Sequence, residues 1–195
     1  MSAMFAVAPV AAFPVIDFED APLPDPDRNA GIRLPSYSED GFTFVGEFNN
    51  GVTITDSNAP LIFAGSRGLL STFMQQEVRL TEDDGSRFDI RSIELAEINL
   101  DDDFLIFGIT EMRGLRDGVE VASVTFTPRN DGSSFLRYFF PLSFTDIDTL
   151  VFTEFSGAIG YQMDNLNLAP PVPVPASAAA LGLGAFVASA RSRRR

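Results

Sequence analysis

Carboxylates are the main reactive groups this chain offers. Asp17, Glu19 and Asp20 sit close together near one end of the sequence, and Asp164 is followed by Asn165 near the other. If folding brings the first and last strands side by side, carboxylates from both ends plus backbone carbonyls could supply the six to eight oxygens that a calcium ion takes. Two further pairs, Glu94 with Glu97 and Glu111 with Glu120, have the residue types of a glycoside hydrolase, which needs only two carboxylates at a suitable separation. Alternation along a strand, however, turns Glu94 and Glu97 to opposite faces. The stretch RYFF at 137–140 sets aromatic rings in succession, so one face carries Tyr138 and Phe140 and the other Phe139. Tyr138 is the candidate glycan contact. The remaining acidic runs read as structure: Glu82-Asp83-Asp84-Gly85 as a solvated turn, Asp101-Asp102-Asp103 as a loop, and Asp56 with Asn58 as a weak cation contact at most. None has the twelve-residue calcium-loop pattern.

Composition removes most other chemistry. With 195 residues and 0 Cys, there is no disulfide framework, thiolate nucleophile or cysteine-based zinc site. With 0 His, Ser-His-Asp catalysis and imidazole proton transfer are excluded. Every basic residue is arginine, so Schiff-base chemistry and a phosphate-binding P-loop lysine are absent too. The formal net charge is -13, and four of the 14 arginines are Arg191, Arg193, Arg194 and Arg195. The body is therefore more acidic than the whole, repels nucleic-acid phosphates and attracts cations. Sugar recognition through tryptophan is excluded by 0 Trp; only Tyr37, Tyr138 and Tyr161 and the 19 Phe remain. Most of the Phe are needed for a core.

The elements that must position these groups are short strands. FTFVGEF (42–48), GVTIT (51–55), EVRLT (77–81), FDIRSIELAEI (88–98), DFLIFGITE (103–111), VEVASVTFT (119–127), FLRYFFPLSF (135–144), DTLVFTEF (148–155) and AIGYQMDNLNL (158–168) are apolar, Phe-rich or β-branched runs. Turn residues separate them, including Asn49-Asn50-Gly51 and Asp117-Gly118, the second within RGLRDG. RSIELAEINL mimics a helical period but lacks caps. The expectation is an all-β fold, an antiparallel β-sandwich of the jelly-roll kind, over residues 13–169.

The two ends differ from this body. Residues 1–12 are apolar and rich in small residues, which reads either as the remnant of a signal peptide or as an edge strand on the core. No basic residue precedes the run, and Pro9 interrupts it. Residues 170–195 hold Pro170, Pro171, Pro173 and Pro175, then an apolar run from Ala176 to Ala190, then the arginines. As a helix that run would reach about 22 Å, short of the ~30 Å hydrocarbon layer, which suits a temporary anchor. The arginines would stay on the cytoplasmic side and leave the acidic body outside.

This tail resembles the PEP-CTERM class of sorting signals in its VPLPA-type variant, with Val172, Pro173, Val174, Pro175 and Ala176 where that class has VPLPA. The apolar run is poorer in Leu than is usual for the class. The resemblance implies export from a Gram-negative bacterium, a C-terminal apolar helix as sorting signal, transient anchoring in the inner membrane and processing by an exosortase, with delivery to the cell surface or an exopolysaccharide and biofilm matrix. The body, with IDFED, YSEDGFTF, DGSRFDIRSIELAEI and YQMDNLNL in order, is similar to exported proteins whose jelly roll is of the carbohydrate-binding-module type. Such modules hold a structural Ca2+ between an early Glu and a late Asp, which maps onto Glu19 and Asp164, with Asp17 and Asp20 as further ligands. Three functions follow in order: a non-enzymatic structural or adhesive surface protein, a calcium-dependent carbohydrate-binding module, and a carboxylate glycoside hydrolase.

Overall fold

The structure, a computed structural model, describes residues 14–22, 32–46, 51–55, 66–71, 77–97, 109–128, 134–154 and 161–169. These form thirteen strands: β1 (Val15–Ile16), β2 (Ile32–Leu34), β3 (Ser36–Glu39), β4 (Phe42–Gly46), β5 (Val52–Thr55), β6 (Gly68–Ser71), β7 (Glu77–Glu82), β8 (Asp89–Glu97), β9 (Thr110–Arg116), β10 (Val119–Phe126), β11 (Leu136–Phe139), β12 (Thr149–Glu154) and β13 (Tyr161–Ala169). One sheet runs β11-β8-β13-β6-β5-β2, with β1 also on β13; the other runs β10-β9-β12-β7-β4-β3. All pairings are antiparallel. The expected all-β sandwich is present, with the first and last strands adjacent. The signal-like segment at 1–12, the VPVPA motif (172–176), the apolar helix and the arginine tail lie outside the described residues.

Two hairpin turns follow from local chemistry. Asp40-Gly41 (φ 50 and 82) joins β3 to β4, and Asp117-Gly118 (φ 52 and 76) joins β9 to β10. Positive φ at both central residues is the twist that fits a two-residue hairpin, and Asp-Gly adopts it readily.

Alternating residues of the two inner faces build the core. Phe44 is its hub, with ring centroids 5.4 Å from Phe18 and 6.2 Å from Phe152. A second aromatic group runs from Phe126 through Phe140 to Phe144 at 5.4 and 4.8 Å. Phe18 is fully buried although its φ is 59, a left-handed conformation costly for a bulky side chain. The Glu39 carboxylate offsets that cost by accepting the backbone N–H groups of Asp17 (3.2 Å) and Phe18 (3.1 Å), and the Tyr37 hydroxyl donates to it at 2.7 Å. Burial is the first reason that the Glu39 carboxyl and the Tyr37 phenol both titrate above their ordinary ranges.

Two expected strands are placed differently. Of the strand expected at 103–111, residues 103–108 lie outside the described residues; β9 begins at Thr110 and runs on to Arg116, into the expected turn RGLRDG, with Met112 and Gly114 facing inward. A Cβ on Gly114 would lie 3.1 Å from Ile147 and 3.3 Å from Phe144, so this glycine permits close packing rather than a turn. The run at 135–144 is a strand only to Phe139, because Pro141 cannot donate to a ladder. From Phe140 the chain instead bends over the core and returns through the Phe88–Ile147 bridge.

Replacing Phe44 by Ala is expected to cost about 3–5 kcal/mol, the range for a buried Phe, read as the midpoint shift in urea denaturation. An unshifted midpoint would contradict the assigned core.

Candidate functional site

The site begins with a mismatch in β13. One side of β13 pairs with β8 along most of its length, while the other pairs first with β6 (residues 161–163) and then with β1 (166–167). Between the pairs Asp164↔Glu94 and Asn167↔Ser92, β13 uses one residue more than β8. The extra residue is Asn165, at φ 46, a conformation that Asn tolerates better than most side chains. This bulge leaves Asp164 in the gap between β6 and β1. Met163 and Leu95 point into the core, so alternation sets their neighbours Asp164 and Glu94 on the outer face.

Hydrogen bonds then connect four elements across that face. The Arg137 guanidinium on β11 donates to Glu94 Oε1 on β8 at 2.7 Å and 3.1 Å. Asn165 Nδ2 donates to Glu94 Oε2 at 2.8 Å and to Asp164 Oδ2 at 3.1 Å. The Ser66 hydroxyl, ahead of β6, donates to the same Asp164 oxygen. Further along β13, the Thr55 hydroxyl donates to Gln162 Oε1 at 3.3 Å. Thr55, Gln162 and Asp164 are buried, and the Gln162 Nε2 has no hydrogen-bond partner among the described residues. The chain of contacts thus runs from half-exposed Arg137 to sealed Asp164. Burial, reinforced by the charges of Glu94 and Asp17, raises the Asp164 carboxyl from 3.8 to about 6, while Ser66 and the Asn165 N–H pull the other way.

At the exposed end, β11 presents different residues to its two faces. Tyr138 pairs with Ile93 and faces inward: its ring lies 5.2 Å from Phe126 and its hydroxyl donates to the Thr127 carbonyl at 3.4 Å. It is therefore a packing residue rather than the open glycan contact expected of it. Phe140 is buried as well. The outward residues are Arg137 and Phe139, with Phe139 73% and Leu142 82% exposed. A Cβ at Gly68 would lie 3.2 Å from the Phe135 ring, so Phe135 also reaches over the sheet.

The expected calcium ligands meet only in part. Asp17 is half-buried, Glu19 and Asp20 are exposed and Asp164 is buried. Asp17 Oδ1 accepts the Glu19 N–H at 3.1 Å, and Glu19 Oε1 accepts the Arg67 N–H at 3.1 Å. The Arg67 guanidinium donates through Nη1 to the carbonyls of Glu19 and of Ala21, the latter at 3.0 Å. Among the described residues no group of three or more Asp or Glu side chains is arranged to hold a metal ion.

The Glu111–Glu120 pair does not form an open catalytic couple. Arg113 stands 3.9 Å from Glu111 and 4.0 Å from Glu120, and it also pairs with Glu77. A guanidinium between the two acids leaves neither free to deliver a proton. Glu94 has the nearer neighbour in Asp164, but Asn165 ties the two together and Asp164 is 1% exposed, so a glycosidic bond has no access between them. The Glu97 side chain lies outside the described residues.

No family model matches the chain, and no curated protein does. Several solved structures are similar to the chain at TM-scores below 0.5. A xylan-binding domain of carbohydrate-binding module family 22 is 14% identical with a TM-score of 0.46, covering 85% of this chain and 99% of its own. A family 29 carbohydrate-binding module complexed with mannohexaose is 17% identical with a TM-score of 0.45, covering 82% and 92%. A DUF4465 family protein from Bacteroides caccae is 14% identical with a TM-score of 0.45, covering 85% and 91%. At these identities the likeness concerns the sandwich fold alone.

The raised Asp164 carboxyl has a definite sign. The native state holds this proton more tightly than the unfolded chain, so the group stabilises the fold fully below pH 3.8 and loses that contribution as pH rises through about 6. Urea midpoints measured from pH 4 to pH 7 should therefore fall, and Asp164→Asn should flatten the decline. An equally steep decline in the variant would assign it to other groups.

Proposed function

We propose that this chain is a non-catalytic glycan-binding module whose binding surface is the outer face around β8, β11 and the β13 bulge. The observation that carries this reading is Phe139, an aromatic ring left 73% exposed on the same face as the Arg137–Glu94 pair, whose N···O distance is 2.7 Å. The ring offers a flat apolar surface to solvent, as does Leu142, 82% exposed, three residues on. The apolar face of a pyranose ring stacks well on such a ring, and fixed polar groups beside it orient the sugar hydroxyls. Arg137 offers donors and Glu94 acceptors, each already held by a neighbour. An exposed ion pair adds little stability, so its value lies in where it places those groups. The net charge of -13 disfavours uronate-rich or sulfated glycans. The ligand class is a neutral polysaccharide.

The sequence of the tail supports a second layer of the proposal. Export, transient anchoring and exosortase processing would deliver the module to the cell surface or an exopolysaccharide matrix, where glycan binding is adhesive. The motif at Val172–Ala176 and Arg191, Arg193, Arg194 and Arg195 are the basis for this placement.

Retention on immobilised neutral polysaccharides, followed by calorimetry with the glycan retained, tests the binding surface. Phe139→Ala is expected to weaken binding at least about tenfold, equivalent to about 1.4 kcal/mol, with an unchanged melting temperature. Tyr138→Phe should bind as the parent does. Unaltered binding by Phe139→Ala would move the site elsewhere.

A further inference from the structure

We propose that Arg67 is the resident cation of the corner where the first and last strands meet, so that the sandwich is held there by a guanidinium and needs no calcium. The corner gathers acidic side chains from two places, Asp17, Glu19 and Asp20 after β1 and Asp164 in the β13 bulge, while Glu94 nearby already has Arg137 as its partner. So many negative groups near one strand junction repel one another and call for a positive charge within a few ångströms.

Arg67 brings a guanidinium to this segment, where its head is directed at backbone carbonyls and its backbone N–H at a carboxylate. Its backbone N–H holds Glu19 Oε1 at 3.1 Å, and its Nη1 donates to the carbonyl oxygens of Glu19 and Ala21. Carboxylate and carbonyl oxygens of this kind are the donors that a hard cation takes. Each now accepts a hydrogen bond from residue 67. A divalent ion placed among them would sit directly against a guanidinium, which cannot lose its charge in a protein. The neighbouring residue completes the tie, because Ser66 donates to Asp164 Oδ2. Residues 66 and 67 therefore reach the early acidic segment and the last strand at once. They lie immediately ahead of β6, the strand that shares one side of β13 with β1. Arginine suits the task because its planar head presents several donors in fixed directions, whereas a lysine ammonium is a single flexible point charge.

Thermal melts of the full chain test the proposal, taken in excess EDTA and in millimolar calcium chloride. The parent is expected to melt at the same temperature in both, and calorimetric titration with calcium chloride should give no binding heat. Arg67→Gln, which keeps length and polarity but not the charge, should melt about 5 °C lower in EDTA, as expected for the loss of charge-assisted hydrogen bonds in a domain of this size. A calcium-dependent rise in the melting temperature of the parent would overturn the proposal, as would Arg67→Gln melting with the parent. Should the variant not fold, the calcium titration of the parent decides alone: binding heat overturns the proposal and its absence sustains it. None of these readouts involves glycan, so this proposal and the glycan-binding reading stand or fall separately.

Discussion

Most of the structure depends on one constraint, the shared use of β13. A single strand of nine residues pairs with β8 along one side and divides its other side between β6 and β1. Where the neighbour on that side changes, the pairing of β13 with β8 slips by one residue at Asn165 and returns to its former register between Asn167 and Leu168. The bulge keeps Met163 and Leu166 in the core on either side of it. It also creates the gap in which a carboxylate is sealed, and it aims an amide at both Asp164 and Glu94.

The same constraint links stability to the exposed surface. Asp164 is expensive to bury, and the structure meets that expense with Ser66, Asn165 and partial proton retention rather than with a direct ion pair. Asn165 passes the order outward to Glu94, and Glu94 holds Arg137 beside Phe139. A binding face assembled this way rests on strands rather than loops, so its groups are set before a ligand arrives and little entropy is lost on binding. At the other end of the early segment, Glu39 plays a comparable part: it accepts the N–H groups around the strained Phe18 and fastens that segment to the second sheet.

Much of the fold was legible in the sequence because its signals are local. Asp117-Gly118 announced a hairpin through the backbone angles it favours, and the Phe-rich alternation announced strands with one buried face. The failures share a cause. Gly114 reads as a turn residue when only its neighbours are known, and its reason for being glycine is the presence of Phe144 and Ile147 across the core. Alternation shows that Arg137 and Phe139 share a face and Tyr138 has the other, but which face is open depends on the pairing of Tyr138 with Ile93. The strands β2, β3 and β6 are too short to stand out by pattern. Of the candidate site, the approach of the early acids to Asp164 followed from strand order. The part played by Arg67 did not, because an arginine 48 residues from Glu19 carries no sequence signal of its partner.

The central claim is that the outer face around β8, β11 and the bulge is the glycan surface. Amide chemical-shift mapping tests it most directly, by titrating the labelled protein with soluble neutral oligosaccharides. The account predicts that shifts concentrate at Ser92, Glu94, Arg137, Phe139 and Asn165 and leave the opposite sheet, at Arg79, Arg113 and Ser123, unmoved. Shifts confined to the opposite sheet, or none with any neutral glycan, would contradict it.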